Sequence, residues 1–269
     1  MRIAFHKYQA TGNDFIMIDN RDGHFPGHHE DLIRHMCDRH FGIGADGLIL
    51  LLNESGYDFS MRYYNSDGKE GSMCGNGGRC AILFAHTLKM IQKSNVFFKA
   101  IDGDHEGRMD DQIRIKMGDV HEIKQKNEAY FVDTGSPHLV MLHHDLQNLD
   151  VVATGRAIRY DKEYQPHGTN VNFIEPENDE IHIRTYERGV ENETLSCGTG
   201  SVAAAISLAH QRQLDHGTFI IRSPGGRLSV SFEKDPEGHY KNIWLEGPAS
   251  EVFSGQYNVN PSKSKLKYL

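Results

Sequence analysis

Short runs rich in β-branched and aromatic residues alternate with a few longer apolar segments along the chain. Such runs, bounded by Gly, Asn and Asp, predict β-strands. We predict strands at Ile3–Tyr8, Phe15–Asp19, Leu48–Leu52, Phe59–Tyr64, Val96–Ala100, Leu139–Leu142, Val171–Ile174, Ile181–Tyr186, Phe219–Arg222, Leu228–Phe232 and Asn242–Leu245. Helical spacing predicts helices at Asp31–Asp38, Arg79–Ala85 and Val202–Leu208.

The helical segment Val202–Leu208 is apolar on nearly every side. A helix of this kind has no face to present to water, so other elements must enclose it. The strands and helices together predict an α/β (α+β) fold. In it, a curved, mostly antiparallel or mixed sheet wraps around a central helix, and this arrangement occurs twice.

The same short phrase precedes both apolar helices. It reads Met73-Cys74-Gly75-Asn76-Gly77 in the first half of the chain and Ser196-Cys197-Gly198-Thr199-Gly200 in the second. The two cysteines are 123 residues apart, and so are Thr11 and Thr134, each of which precedes a glycine. Two separate anchors at one offset indicate a diverged duplication.

Further matches support the duplication. Met61–Asn65 matches Ile183–Glu187 at an offset of 122, so the second copy has gained one residue before its cysteine. A weaker match sets Asp46–Ile49 against Val171–Ile174.

The repeat is far longer than the roughly 20–50 residues of stacked repeats, which indicates two pseudo-symmetric domains of one design. The polar segment 118–127 has no clear period and is the expected boundary. We therefore expect an N-terminal domain at 1–119, which carries Cys74, and a C-terminal domain at 120–269, which carries Cys197. The C-terminal tail is expected to pack back on the N-terminal domain.

Composition excludes several classes of protein. A net charge of −8 gives no basic face for nucleic acid, and four cysteines in 269 residues are too few for a disulfide framework. No apolar run approaches the roughly 18 residues of a membrane span, and the first residues do not resemble a signal peptide. We expect a cytoplasmic enzyme that binds a small molecule, with no nucleic-acid or membrane partner.

Two motifs that suggest a cofactor or a metal fail on context. Gly42–Gly47 matches the dinucleotide pattern G-x-G-x-x-G, but a helix precedes it and a strand follows, the reverse of the required order. The cysteines lack the paired spacing of a zinc site, because the nearest two, Cys74 and Cys80, are six positions apart. Cys37 and Cys80 lie in helical segments and are expected in the core. We expect neither cofactor nor metal.

Cys74 and Cys197 both fall at predicted helix N-termini. Unpaired N–H groups and the helix dipole favour an anion there, which lowers the pKa of a cysteine thiol. Two such thiols suit either a disulfide redox couple or inversion of a carbon centre. Duplicated halves favour inversion, because one thiolate can remove a proton from one face while the opposite thiol delivers a proton to the other. The helix N-termini would stabilise the charge on the substrate carboxylate.

Six spaced motifs closely resemble the diaminopimelate epimerases. They are Thr11-Gly12-Asn13-Asp14-Phe15, Tyr64-Asn65-Ser66-Asp67-Gly68, Met73-Cys74-Gly75-Asn76-Gly77, Gly135-Ser136-Pro137-His138, Tyr186-Glu187-Arg188-Gly189 and Ser196-Cys197-Gly198-Thr199-Gly200. The resemblance extends to about Val259. It implies a cofactor-independent isomerase that interconverts LL- and meso-diaminopimelate, in lysine and peptidoglycan precursor biosynthesis, and it suggests a homodimer.

The resemblance also implies roles for single residues. Cys74 and Cys197 would be the acid–base pair, with His138 and Glu187 near the thiols. A lone histidine at position 138 has a simpler interpretation, as a hydrogen-bonded turn residue. The remaining substrate-binding positions are Asn13, Asn65, Gly75, Asn76, Asn170, Glu187, Arg188, Gly198 and Thr199.

The chain departs from the family pattern in three places. Ser136 replaces an asparagine of some members and has a shorter reach, and Gly47 replaces a glutamine and has no side chain for a ligand. The segment Gly189–Thr194 is one residue longer than expected.

Three other functions remain open at this point. A proline or hydroxyproline racemase also uses two cysteines, but its cyclic substrate has no distal amino acid head for Arg188, Asn65 and Asn170 to hold. A thiol redox protein would join Cys74 and Cys197 in a reversible disulfide. A non-catalytic amino-acid-binding module would give no reason for both thiols.

Overall fold

The computed structural model describes residues 2–26 and 29–259, and these form two compact units. The first unit contains the described residues up to Ile113 together with those from Ala249 onward, and the second contains Arg114–Pro248. These units divide the chain after Ile113 and again after Pro248, whereas the sequence predicts one boundary after Asp119, and the last strand belongs to the first unit. The tail beyond Val259 lies outside the described residues.

The first unit is a mixed sheet with two helices. Its elements are β1 (Arg2–Ala10), β2 (Asn13–Asp19), α1 (Glu30–Cys37), β3 (Gly47–Leu52), β4 (Phe59–Asn65), β5 (Glu70–Gly71), α2 (Gly75–Thr87), β6 (Asn95–Ala100), β7 (Gly103–Met109) and β18 (Ser250–Asn258). The strands pair in the order β18, β1, β2, β3, β4, β6, β7, with β5 beside β4. The pairs β2–β3 and β4–β6 are parallel, and the others are antiparallel.

The second unit repeats this plan. Its elements are β8 (Ile113–Lys116), β9 (Ile123–Lys126), β10 (Ala129–Asp133), β11 (Pro137–Leu142), α3 (Val151–Arg159), a 3₁₀ helix (Lys162–Tyr164), β12 (Asn170–Glu177), β13 (Glu180–Glu187), β14 (Asn192–Thr194), α4 (Gly198–Gln211), β15 (His216–Ser223), β16 (Gly226–Lys234) and β17 (Tyr240–Gly247). The order is β9, β10, β11, β12, β13, β15, β16, β17, β8, with β14 beside β13. The parallel pairs are again the equivalent ones, β11–β12 and β13–β15.

Strand register supports the duplication residue by residue. Phe15 lies opposite Gly47 in the first unit, and His138 lies opposite Asn170 in the second, each 123 positions later. The weaker sequence match of Asp46–Ile49 with Val171–Ile174 is therefore wrong by two positions. The offset of 122 for β4 and β13 is confirmed, because Tyr64 pairs with Leu48 as Tyr186 pairs with Val171.

Each sheet wraps around one apolar helix, as the sequence predicted. The helix α2 contacts β1, β2, β3, β4 and β7, and α4 contacts β10–β13 and β15–β17. Every residue of α4 from Gly200 to Ala209 is buried. Burying a large apolar side chain such as Phe84 or Ile206 contributes about 1.5–3 kcal/mol, so the helices are anchored by packing rather than by helix propensity.

Two of the strands missed from the sequence, β9 and β18, have no buried face, whereas β8 and β10 were missed although each is short and buries alternate residues. Strand β9 lies inside the expected linker and reads as polar because only Ile123 is partly buried. Strand β18 is exposed along nearly its whole length, so no alternation marks it. The helix α3 was also missed. In the part of the chain that the structure describes, no helix is long and apolar enough to cross a membrane.

Candidate active site

Cys74 is the N-cap of α2. Its backbone is extended (φ −107°, ψ 145°), and its sulfur accepts a hydrogen bond from the Gly77 N–H at 3.2 Å. A Cβ on Gly77 would lie 3.1 Å from this sulfur and 3.1 Å from Ile49 Cδ1. A side chain here would press on both atoms, so glycine leaves room for the sulfur to rest on the first turn, where N–H groups favour a thiolate.

Asn76 and Asn13 extend this cluster. The Asn76 Nδ2 group donates to Asn13 Oδ1 at 3.2 Å, and Asn13 Nδ2 donates to Asp46 Oδ2 at 2.7 Å. A carboxylate only accepts, so Asp46 determines which way the Asn13 amide points. The structure thus brings the predicted residues Asn13, Asn76 and Cys74 together, on α2 and the start of β2.

An ion cluster anchors the start of β2. Asp14 forms ion pairs with Lys7 at 2.9 Å and Arg39 at 2.8 Å, and Arg39 also pairs with Asp46 at 2.7 Å. Burial alone would raise the pKa of Asp14, but hydrogen bonds from Arg39 and Lys7 hold that pKa at about 2. The Asp14 carboxylate stays ionised at neutral pH and holds Arg39, which in turn pairs with Asp46, the acceptor for the Asn13 amide.

Gly47 is explained by a neighbouring tyrosine. A Cβ at this position would lie 2.5 Å from Tyr63 Cε2 and 2.6 Å from the Tyr64 carbonyl oxygen. The Tyr63 ring fills this space, and its hydroxyl donates to Asn65 Oδ1 at 2.9 Å. Thus Asn65, which the sequence predicts to bind substrate, is oriented by Tyr63.

Cys197 is the N-cap of α4, with a similarly extended backbone (φ −120°, ψ 114°). Its sulfur lies 3.5 Å from the Thr199 hydroxyl and makes no capping hydrogen bond to α4. A Cβ on Gly200 would lie 2.5 Å from Asn172 Oδ1, so a side chain at the second glycine of this turn would displace Asn172. The two cysteines hold corresponding positions but rest on different neighbours.

His138 is connected to Cys197 through Thr199. Its Nε2 atom lies 2.9 Å from the Thr199 hydroxyl, and its Nδ1 atom lies 3.0 Å from Asn172 Nδ2. The same Asn172 amide group donates to the Leu139 carbonyl oxygen, which only accepts. Asn172 is therefore the donor, and His138 carries its proton on Nε2, facing Thr199.

His138 is neutral over the physiological range. It is 0% exposed, and burial, with a smaller effect of the Arg188 charge, lowers the pKa of His138 to about 3. The sequence offered two interpretations of His138, as a hydrogen-bonded turn residue or as a residue near a thiol. In the structure both of its ring nitrogens are hydrogen-bonded, and Thr199 links it to Cys197.

Asn170 joins the remaining residues of the second unit. Its Oδ1 atom accepts from the Arg188 N–H at 2.8 Å, and its Nδ2 group donates to Ser136 Oγ at 3.2 Å. Ser136 Oγ is also 3.0 Å from His138 Nε2, so the shorter side chain at this position points into the hydrogen-bond network. Glu187, at the end of β13, accepts from Thr194 Oγ1 at 2.9 Å.

Sequence reasoning missed the residues that support this site. Four residues each form a hydrogen bond with a residue that the sequence predicted for the site: Asp46, Tyr63, Asn172 and Arg79. An alignment of the two halves at the offset of 123 shows where a polar residue in one half replaces an apolar residue in the other. It pairs Phe15 with His138, Ile49 with Asn172, and Arg79 with Val202.

Two further groups of side chains have the atoms for metal or thiol chemistry. Asp235, Glu237 and His239 could hold an ion, but Asp235 already pairs with Lys241 at 2.6 Å in a surface hairpin. Cys37 and Cys80 are buried, as predicted, and burial raises the pKa of Cys37 to about 12.

A family model described as diaminopimelate epimerase matches residues 5–123 and 130–251. The chain belongs to the diaminopimelate epimerase family. The diaminopimelate epimerase of Flavobacterium psychrophilum is 48% identical over 254 residues, covering 93% of this chain and 98% of that relative. The diaminopimelate epimerase of Chlorobaculum tepidum is 43% identical, covering 91% of this chain and 98% of that relative.

Solved structures show the same fold. A Bacillus anthracis phenazine biosynthesis protein of the PhzF family superposes with a TM-score of 0.78 at 16% identity, covering 96% of this chain and 100% of that one. A hydroxyproline epimerase from Agrobacterium vitis gives a TM-score of 0.69 at 15% identity, covering 98% of this chain and 94% of that one. The predicted diaminopimelate epimerase fold and the isomerase class are confirmed.

The burial of His138 generates a prediction about pH. The unfolded chain binds a proton at this histidine below about pH 6.5, whereas the folded epimerase does not, so stability is lost as the pH falls. Between pH 7 and pH 5 this residue should remove about 2 kcal/mol from the free energy of unfolding. When both proteins are unfolded with urea at a series of pH values, the free energy of unfolding should fall more steeply from pH 7 to pH 5 for the wild type than for His138→Phe.

His138→Phe copies the residue at the equivalent position of the first unit, Phe15, so it provides a size-matched comparison. NMR spectra of histidine-labelled protein should show one imidazole, absent from the variant, whose signals stay constant from pH 8 to pH 5. A His138 signal that titrates near pH 6.5 would contradict the neutral assignment.

Proposed function

We propose that this enzyme interconverts LL- and meso-diaminopimelate by a two-base mechanism that needs no pyridoxal phosphate and no metal. The observation that carries the proposal is that Cys74 and Cys197 occupy the same place in two duplicated units, each as the N-cap of a buried helix. Like thiols in like positions suit the removal and the delivery of one proton at a carbon that inverts.

The proton transfers balance without a co-reactant. One cysteine enters as a thiolate and takes the α-proton, and the C–H electron pair passes into the α-carboxylate. The other cysteine then gives its thiol proton to the opposite face of the carbon. In the reverse direction the two cysteines exchange roles. The N–H groups of Gly75-Asn76 and Gly198-Thr199 are proposed to hold the carboxylate as its charge develops.

Neutral His138 is proposed to support Cys197 rather than to accept the α-proton. Its Nε2–H points to the Thr199 oxygen at 2.9 Å, which leaves the Thr199 hydroxyl proton available to the sulfur 3.5 Å away. A hydrogen bond to the thiolate favours the charged form. Glu187 is proposed to act beside this cysteine and to take part in binding the substrate ammonium.

The distal end of the substrate is proposed to lie against Arg188, Asn65 and Asn170, with Asn13 nearby. An arginine guanidinium can form two parallel hydrogen bonds with a carboxylate, and amide oxygens accept from an ammonium. Asn170 holds the Arg188 backbone at 2.8 Å, which fixes where that side chain begins. Proline offers no second carboxylate for this arginine.

A cytoplasmic location and a homodimer complete the proposal. The edge strand β18 supports the dimer, because Val252 and Phe253 on it are 56% and 48% exposed. Exposed apolar side chains on an edge strand favour pairing with another chain.

Sedimentation equilibrium should give twice the chain mass for the wild type, and Phe253→Lys, which places a charge on the exposed strand, should give a monomer. A monomeric wild type at micromolar concentration would contradict the dimer.

A deuterium assay tests the mechanism. In deuterated buffer, LL-diaminopimelate should gain one α-deuterium as it inverts. Mass spectrometry and NMR measure this incorporation. Cys74→Ala and Cys197→Ala should each lower the epimerisation rate by at least about 1,000-fold, because each removes a proton carrier. Cys37→Ala, a buried cysteine outside the site, is the control and should keep normal turnover.

Rapid inversion in either active-site variant would rule out the two-thiol mechanism. The same assay with proline, hydroxyproline and glutamate separates the alternatives. Exchange on proline without exchange on diaminopimelate would favour a racemase and would refute the proposed substrate.

Loss of Arg188 should affect substrate selection. Arg188→Ala should lower kcat/KM for diaminopimelate by about 100-fold, mostly through KM, since a two-bond contact to the distal carboxylate is lost. Arg227→Ala removes an exposed arginine elsewhere in the same unit and is the charge-matched control. Unchanged kcat/KM in Arg188→Ala would show that this arginine does not hold the distal end.

A further inference from the structure

Arg79 is a fully buried cation on the first turns of α2. Its side chain is 0% exposed, and it lies five positions after Cys74. Among the described residues, no carboxylate pairs with it, and its Nε atom has no hydrogen-bond partner. Burying a charge without a counter-charge destabilises a fold by several kcal/mol, so this residue calls for an explanation other than stability.

The guanidinium is bonded to the turn that follows Cys74. Its Nη2 group donates to Asn76 Oδ1 at 2.7 Å, and its Nη1 group donates to the Gly75 carbonyl oxygen at 3.2 Å. Asn76 in turn donates to Asn13 at 3.2 Å. Arg79 therefore fixes the Asn76 side chain and the Gly75 carbonyl from inside the protein, while the Gly77 N–H of the same turn is bonded to the Cys74 sulfur.

Arg79 keeps its charge at neutral pH. Burial lowers the pKa of Arg79 to about 10, opposed by the nearby thiols of Cys80 and Cys74. Cys80 cannot balance the charge, because full burial raises the pKa of that thiol far above its usual range. Of the two thiols coupled to Arg79, only Cys74 is accessible enough to be the anionic partner.

The second unit supports its cysteine differently. Val202 occupies the position that corresponds to Arg79, and it is buried and uncharged. There the turn is held by Thr134, whose hydroxyl donates to the Thr199 carbonyl oxygen at 2.9 Å, and by neutral His138. A buried positive charge is thus a property of the Cys74 turn and not of the duplicated fold.

We propose that Arg79 is the counter-charge and positioning residue of the Cys74 turn. It holds Gly75-Asn76 in place and makes the N-terminus of α2 favourable for one negative charge, supplied by the Cys74 thiolate or by a substrate carboxylate bound to the turn. The inference rests on the proposed function, in which Cys74 alternates between thiol and thiolate. It makes the two cysteines electrostatically unequal even though their backbones correspond.

Alkylation of the single remaining active-site cysteine tests this without an epimerisation assay. In a Cys197→Ala background, the rates of Cys74 with anionic iodoacetate and neutral iodoacetamide are measured by mass spectrometry. The ratio of the two rates reports the local charge. Arg79→Gln should lower this ratio by about tenfold, and Arg79→Lys should keep it within about twofold of the parent, since one unit charge is removed or retained.

The matched control places the same changes in a Cys74→Ala background and follows Cys197. Its ratio should not change, because the corresponding position there is Val202. Arg79→Met provides a stability readout, and its melting temperature should equal or exceed that of the parent, since an uncompensated buried cation is removed.

Three results would overturn the inference. They are an unchanged Cys74 ratio in Arg79→Gln, an equal fall at both cysteines, or a lower ratio in Arg79→Lys than in Arg79→Gln. A wild type that incorporates no deuterium into diaminopimelate, while its Cys74 ratio depends on Arg79 as described, would refute the proposed function and leave the charge assignment intact.

Discussion

The site depends on one constraint: a sulfur must sit directly on the open end of a buried helix. Peptide N–H groups at that end are otherwise unsatisfied, and they create a positive potential that suits a thiolate or a carboxylate. The helix can point its end at a small polar molecule only if the rest of it is enclosed. Each sheet therefore wraps around an apolar helix, and glycines 77 and 200 let the sulfur approach the first turn.

The duplication produced this arrangement twice, and the residues that contact each cysteine turn then diverged. In the first unit, the turn packs on Phe15 and Ile49 and is held by the charged Arg79. In the second unit, the corresponding neighbours are His138 and Asn172, a neutral hydrogen-bonded pair. The backbone is shared, whereas the electrostatic support is not. Such a division suits a reaction in which both sulfurs do the same chemistry on a substrate whose two ends differ.

Much of this was readable from the sequence. The repeat of Cys-Gly-x-Gly, the shared offset and the strand pattern predicted the duplicated fold and both cysteines, because periodicity and glycine turns are local signals. The supporting residues were not predicted. Asn172 bonds His138 on the neighbouring strand, so its partner depends on register. Tyr63 bonds Asn65 on its own strand, in space that Gly47 leaves on the next strand. Arg79 reads as an ordinary helix residue until its burial is known. Strands β9 and β18 escaped because an exposed edge strand lacks the alternation that marks a buried face.

The pairing of β18 with β1 has a consequence for biosynthesis. The first unit takes its edge strand from residues that follow the whole of the second unit along the chain, whereas the second unit is contiguous from Arg114 to Pro248. During translation the second unit has all of its own residues before the first unit can close its sheet. The N-terminal half of a nascent chain must therefore wait with β1 unpaired on one side, an aggregation-prone edge that chaperones are suited to cover.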